Sequence, residues 1–245
     1  MNEILAKLLT TASHMTPVEA LGEVIPLDDS ALLDNKGVLR PMAAGWWNAT
    51  TEGQRAMFGQ KHGIYSFPTT EAVQFVRECI GGRELKTIEI GSGNGGWSKA
   101  LGIRGTDSFL QNRPDIAAHY AAMKQPRAKY GPHVEKLEAI KAVRKYRPQV
   151  VVASWVTQKF RADRFCMRGN ADGVDELRLL ELVDEYVLIG NTAQHADKMI
   201  IEDIQNGSST HEVIAACFEN LSSRALVGKD FIFHIRRKQC TYKDI

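Results

Sequence analysis

The residues best suited to do chemistry stand together at Glu89-Ile90-Gly91-Ser92-Gly93-Asn94-Gly95-Gly96-Trp97. Thr87 to Ile90 reads as a short strand, and glycines after a strand let the backbone turn tightly and come close to a ligand. The helix that begins near Trp97 offers free backbone amides to the same space. Such a turn is a ligand cradle. The next strand, Ile103 to Thr106, runs into Asp107, whose carboxylate can accept from two hydroxyls at once. A second group follows a later strand at Ala153-Ser154-Trp155-Val156-Thr157-Gln158. There Trp155 can wall a pocket or stack on a substrate, while Thr157 and Gln158 offer neutral hydrogen bonds. His195, shortly after Gly190-Asn191, is a candidate general base. Some of these have a plainer reading: Glu89 as an exposed strand acid, Trp155 as core packing at a strand end, and, further along, His133 as a loop histidine.

The elements that must position these residues begin in earnest at residue 66. Residues 1–65 read as an irregular, partly helical cap, with short helices from Glu3 to Thr11 and from about Thr16, a polar helical segment through Arg55 and Phe58, and interruptions at Gly59 and Gly63. Trp46, Trp47 and Tyr65 are its candidate lid or anchor residues. Residues 66–245 read as an α/β domain. Thr69 or Thr70 caps a helix with the stripe Val73, Phe75, Val76 and Ile80, which Gly81-Gly82 ends. Strands are expected at 87–90, 103–106, around His133-Val134, at Val150-Val151-Val152-Ala153 and at Tyr186-Val187-Leu188-Ile189. The last two are continuous apolar runs of the kind buried on both faces. Helices are expected from Leu137 to Tyr146, Leu177 to Val183 and Ser209 to Leu221. Ala225-Leu226-Val227 and Phe231 to Ile235 read as a closing hairpin around Gly228-Lys229-Asp230. The sum is a Rossmann-like, mostly parallel seven-stranded sheet with helices on both faces and a C-terminal antiparallel hairpin.

Two readings of the glycine turn compete. As G-x-G-x-x-G, Gly91, Gly93 and Gly96 match a dinucleotide fingerprint with Asp107 as the ribose acid, which would suit a nicotinamide-dependent oxidoreductase. As E-x-G-x-G-x-G, Glu89 with Gly91, Gly93 and Gly95 resembles the first motif of class I S-adenosylmethionine-dependent methyltransferases, and the resemblance extends over about residues 66–238. An acid two residues before the first glycine fits the second reading and would repel a pyrophosphate. The resemblance implies S-adenosylmethionine as cofactor and methyl transfer as activity. It implies that Glu89 meets the methionine amino group, that Gly91, Ser92, Gly93, Asn94 and Gly95 pass along the amino-acid and ribose portion, and that Asp107 takes the ribose hydroxyls. His133 and Val134 would flank the adenine, with Glu135 a possible substitute acid, and Ser154 would close the pocket. Trp155, Thr157 and Gln158 fall where this family keeps its reaction-specific residues, and His195 falls at the sheet's carboxyl edge, where ligands of open α/β sheets collect. The stretch 153–158 lacks the Asp-Pro-Pro or Asn-Pro-Pro pattern of base N-methylation and the Pro-Cys of cytosine C5 chemistry. A cofactor-binding module without catalysis is therefore a further alternative.

Composition bounds the rest. The chain has 245 residues, a formal net charge of +2 and 44% hydrophobic residues, near the globular average. That balance excludes a generic polyanion binder and leads to the expectation of a small-molecule acceptor rather than protein or nucleic acid. A local basic run, Lys159, Arg161, Arg164 and Arg168 around Phe160 and Phe165, is the candidate for an acidic or phosphate group. Cys79, Cys166, Cys217 and Cys240 show no metal or disulfide spacing, and Cys166 lacks an evident base. No leader and no stretch of roughly 20 apolar residues is read, so a cytoplasmic protein without a membrane span or metal is expected. The sequence leaves the oligomeric state open.

Overall fold

The computed structural model describes residues 25–239 apart from 165, 166 and 168. The two N-terminal helices expected before residue 24, Phe165, Cys166, Arg168 and Cys240 lie outside the described residues. The centre is β5 (Val150–Ser154), where four consecutive apolar residues are fully buried. The pleat sends Val151 and Ala153 into one core and Val150 and Val152 into the other. A strand apolar on both faces needs helices on both sides. One face receives α4 (Thr70–Ile80) and α5 (Gly96–Leu101); the other receives α7 (Ala139–Tyr146), α8 (Glu176–Leu180) and α10 (Met199–Gln205). The Thr69 hydroxyl caps α4 at the Ala72 amide, and Gly81 in the left-handed region ends it.

Around β5 the sheet adds β2 (Thr87–Ile90), β3 (Arg104–Asp107) and β4 (Glu135–Lys136) on one side. On the other stand β6 (Glu185–Asn191), β9 (Asp230–Arg237) and β7 (His211–Cys217). The order is β4-β3-β2-β5-β6-β9-β7, parallel from β4 through β6, with β9 antiparallel to both neighbours. This is the expected Rossmann-like, mostly parallel sheet of seven strands with antiparallel strands at its C-terminal side. The order reverses between β2 and β5, the place where ligands of open α/β sheets bind.

Several elements differ from expectation. The segment read as a helix from Ser209 is β7, because pairing with β9 outweighs local propensity. A register shift between Val213 and Ala215 hides the two-residue alternation that would have revealed a strand. β7 is thus the hairpin partner of β9, and 225–227 is connecting loop. The third parallel strand begins two residues later than read, at Glu135. Helix α6 (Pro114–Ala122), with Pro114 at its first position, and α10 were not anticipated.

The cap contributes α1 (Asp29–Leu32), α2 (Ala44–Asn48) and α3 (Glu52–His62), and α3 runs through Gly59 rather than stopping there. Its core of Leu32, Leu39, Trp47, Phe58 and Ile64 also takes Phe67, on which Trp47 stacks at 4.4 Å. Trp47 is therefore an anchor and not a lid surface. The entry to the α/β domain is tied to its C-terminal half at two places. β1 (Ser66–Phe67) pairs antiparallel with β8 (Ser222–Ser223), and the Thr69 hydroxyl donates to the Asn220 carbonyl at 2.5 Å. No helix among the described residues is long and apolar enough to cross a membrane.

Candidate active site

The carboxyl ends of β2, β3 and β5 meet the cap over two connected hollows. A small one of about 60 Å³ lies between Glu89, Gly93, Ser154 and the cap residues Leu39 and Tyr65. A larger one of about 340 Å³ continues past Asp107, Tyr120, Trp155 and Asn170. Beyond Ser108 and Leu110 a cleft of about 570 Å³ runs between Phe109, Lys136 and Glu138. Together they form a channel along the edge of the sheet.

Glu89 is 1% exposed, and its Oε2 accepts from the Ser98 amide at 2.9 Å inside the first turns of α5. Burial pushes its carboxyl up to about 7, against the restraint of the Ser92 and Ser98 donors and with a small push from Asp107. In the folded protein this group holds a proton that the unfolded chain has lost above 4.5. Stability is then greatest below 4.5, declines as pH rises through 4.5–7, and stays at the lower level above it. Glu89→Gln removes that slope. Urea unfolding should find the variant up to about 3 kcal/mol more stable than wild type at pH 8, with the gap mostly closed at pH 5. Parallel pH profiles for the two proteins would show that Glu89 titrates normally.

Asp107 closes the other side. Its Oδ2 accepts from the Gly93 amide at 2.9 Å and its Oδ1 from the Phe109 amide at 2.8 Å. Burial raises its pKa and these two donors oppose the rise. Each oxygen retains a lone pair for a ligand hydroxyl. Between the two acids, Gly93 has φ +50° and a Cβ built there would meet nothing within 4 Å, so the turn's inner face looks onto open space. Asn94 faces elsewhere: its amide oxygen accepts from the Leu39 N–H at 2.7 Å and its amide nitrogen donates to the Gly37 carbonyl at 2.8 Å. It staples the cap to the glycine turn.

The β5 end carries two buried polar atoms that have no partner among the described residues, Ser154 Oγ and Trp155 Nε1. Trp155 itself sits at φ +56°, an unfavourable conformation for a bulky side chain. It faces Tyr65 at 6.0 Å and His195 edge-on at 5.1 Å. Thr157 is exposed and lines the larger hollow.

Three site expectations are corrected by this geometry. His133 and Val134 precede β4 and pack behind the glycine turn, where a Cβ on Gly95 would lie 2.6 Å from the His133 ring. The carboxyl edge of that strand instead presents Lys136 and Glu138, both on the outer cleft, while Glu135 is held by Lys145 and Tyr146. Gln158 is buried, its Oε1 accepting from the Met199 amide at 2.8 Å and its Nε2 donating to the Asp197 carbonyl at 3.2 Å, so it clasps two loops. His195 is held as a buried hydrogen-bond acceptor rather than presented to the hollow as a general base. Its Nδ1 takes the Asn191 N–H at 3.0 Å, and burial, with Lys198 nearby, drives its pKa down to about 3. Tyr120, Tyr130 and Asn170 line the hollow without having been singled out, although tyrosines in the polar segment after Asp107 were a signal available to the eye.

No family model matches the chain, and no curated protein does. Among solved structures, a Streptococcus pneumoniae protein in complex with S-adenosyl-L-methionine, described as a candidate tRNA (m1A22) methyltransferase, is 11% identical. The match has a TM-score of 0.38 and covers 71% of this chain and 76% of that one. A Pyrococcus horikoshii protein described as a candidate RNA methyltransferase is 14% identical, with a TM-score of 0.39 over 77% of this chain and 98% of that one. The fold class rests on the strand order rather than on these likenesses. They do run against the preference for a small-molecule acceptor, since both are described as acting on RNA, and that preference is withdrawn. It came from the total charge, which averages away any local cluster. Within the basic run, Arg161 pairs with Asp163 and Arg164 with Asp203 and Glu202, as in an ordinary charged loop.

Proposed function

We propose that this protein is a methyltransferase that takes its methyl group from S-adenosylmethionine and passes it to a nucleic acid acceptor. The observation that carries the reading is the pair of buried acids, Glu89 and Asp107, on either side of a glycine turn that opens into the hollow beside Trp155. The cofactor, when bound, supplies an electrophilic methyl on a sulfonium. Glu89 receives the cationic amino-acid end, whose charge draws the carboxyl into its ionised form. Asp107 takes the ribose hydroxyls while keeping its two backbone donors. Ser154 Oγ and Trp155 Nε1 gain the partners they lack, and the cap residue Tyr65 helps to exclude water from the transfer. Displacement at a methyl group depends largely on alignment and desolvation, and this site is furnished for both.

The dinucleotide reading asks a pyrophosphate to lie against a turn with the acid Glu89 directly behind it, an unfavourable arrangement. Thermal unfolding with S-adenosylhomocysteine and with NADPH separates the two, and stabilisation by the former alone is expected. Label from methyl-tritiated S-adenosylmethionine should enter total RNA. Stabilisation by NADPH alone would overturn the cofactor assignment, and cofactor binding without label in RNA would leave a binding module.

A further inference from the structure

The hollow beside Trp155 has one wall that no catalytic argument uses. The chain leaves α6 at Ala122 and returns to β4 through residues 123–134, and this stretch reaches the hollow at Ala128 and Tyr130 and the cap at Gly63. Hydrogen bonds hold it in place. The Gln125 amide donates to the Tyr120 carbonyl at 2.9 Å, the Ala128 amide to Gln111 Oε1 at 2.6 Å, and Arg127 to the Gln111 carbonyl at 3.2 Å. On its far side it meets the cap backbone to backbone: a Cβ on Gly63 would stand 2.6 Å from Ala128 Cα. Ala128 and Tyr130 face the hollow, while Lys124, Arg127 and Lys129 are exposed.

These three cations have no carboxylate partner among the described residues, unlike Arg113, Arg161 and Arg164 nearby in the fold. A fourth cation joins them from β8's end, Arg224, whose guanidinium lies 3.6 Å over the ring of Tyr65. The same mouth is aromatic: Tyr65, Tyr120 and Trp155 are all half-buried at its edge. Burial and the neighbouring Tyr65 push the Tyr120 phenol up to about 12, so it contributes no negative charge.

Positive charge that no carboxylate neutralises, beside planar faces, suits a single-stranded polynucleotide, because each nucleotide brings one phosphate and one stackable base. An acidic peptide would satisfy the cations and leave the aromatic faces unused. We infer that residues 124–129 with Arg224 form a phosphate-binding lip that holds single-stranded RNA while a base stacks at Tyr65, Tyr120 and Trp155 beside the methyl donor. This rests on the methyltransferase reading for the purpose of the lip, though binding can be measured without turnover.

The test is fluorescence anisotropy with a labelled, mixed-sequence single-stranded RNA of about 12 nucleotides, a length within the range of known single-strand sites, in the presence of S-adenosylhomocysteine. The Lys124→Gln/Arg127→Gln/Lys129→Gln variant should bind at least about ten-fold more weakly near 0.1 M salt. Its log K against log salt should be shallower by about 2, three contacts at about 0.7 each. Tyr65→Ala should weaken binding while keeping the wild-type slope. Wild-type affinity and slope in the triple variant would overturn the lip, and tighter binding of poly-glutamate than of RNA by the wild type would assign the surface to a protein partner instead. Calorimetry with S-adenosylhomocysteine, unaffected in the triple variant, judges the methyl-donor reading separately.

Discussion

Asp107→Ala should weaken S-adenosylhomocysteine binding by about 100-fold or more in calorimetry. The carboxylate is asked to do two things. It accepts from the Gly93 and Phe109 amides, which fixes the inner edge of the turn, and it offers its remaining lone pairs to the ribose. Hydrogen bonds to a charged group contribute about 1.5–3 kcal/mol each, so losing two ligand bonds, with two backbone donors left bare, amounts to about 3 kcal/mol or more, or a factor of about 100. Gly93→Val should have a similar effect by a different route. The turn needs φ +50° there, and the new side chain would project into the open face. Affinity within about three-fold of wild type in both variants would remove the cofactor site from this edge of the sheet.

Lys198→Met should destabilise the protein by about 3–5 kcal/mol, read as a fall of about 10 °C in thermal midpoint for a chain of this size. Lys198 is paired with Glu176, each side chain 2% exposed, and Glu176 also accepts from the Tyr186 hydroxyl at 2.7 Å. Removing the ammonium leaves a carboxylate deep in the core that lines the sheet. The double variant Lys198→Met/Glu176→Gln should recover most of the loss, because a neutral amide can still accept from Tyr186 and no charge is stranded. A double variant as unstable as the single one would mean that Lys198 matters for packing rather than charge. The network bears on the site because Lys198 precedes Met199, whose amide Gln158 clasps.

What could be read from the sequence was what lies close along the chain. Glu89 and the glycine turn form one contiguous strand-turn-helix, and Asp107 ends the very next strand, so their place at one sheet edge followed from the βαβ pattern. The valines of β5 announced a strand buried on both faces. The third strand was misplaced because only Glu135 and Lys136 form it, too few residues to leave a pattern, and with it went the assignment of His133 and Val134. β7 was lost to its bulge. His195 kept the residue type of a base but not the behaviour, since burial and a backbone N–H at Nδ1 are tertiary facts. The lip at 124–129 was invisible for the same reason: whether a cation is free depends on which carboxylates the fold brings to it.

The pairing of β1 with β8 also sets a timetable. Residues 66–67 wait for residues 222–223, and β7 joins the sheet only through β9, which ends at Arg237. A chain emerging from the ribosome therefore carries its glycine turn long before it can fasten a roof over it. Contacts of such long sequence separation form slowly, so the roof over the turn depends on the most distant pairings in the chain. A chain cut short before Asn220 would keep Glu89, Asp107 and the turn in its sequence but lose β8, the Asn220 carbonyl and the buried strand β9, so neither the β1 pairing nor the far half of the sheet could form.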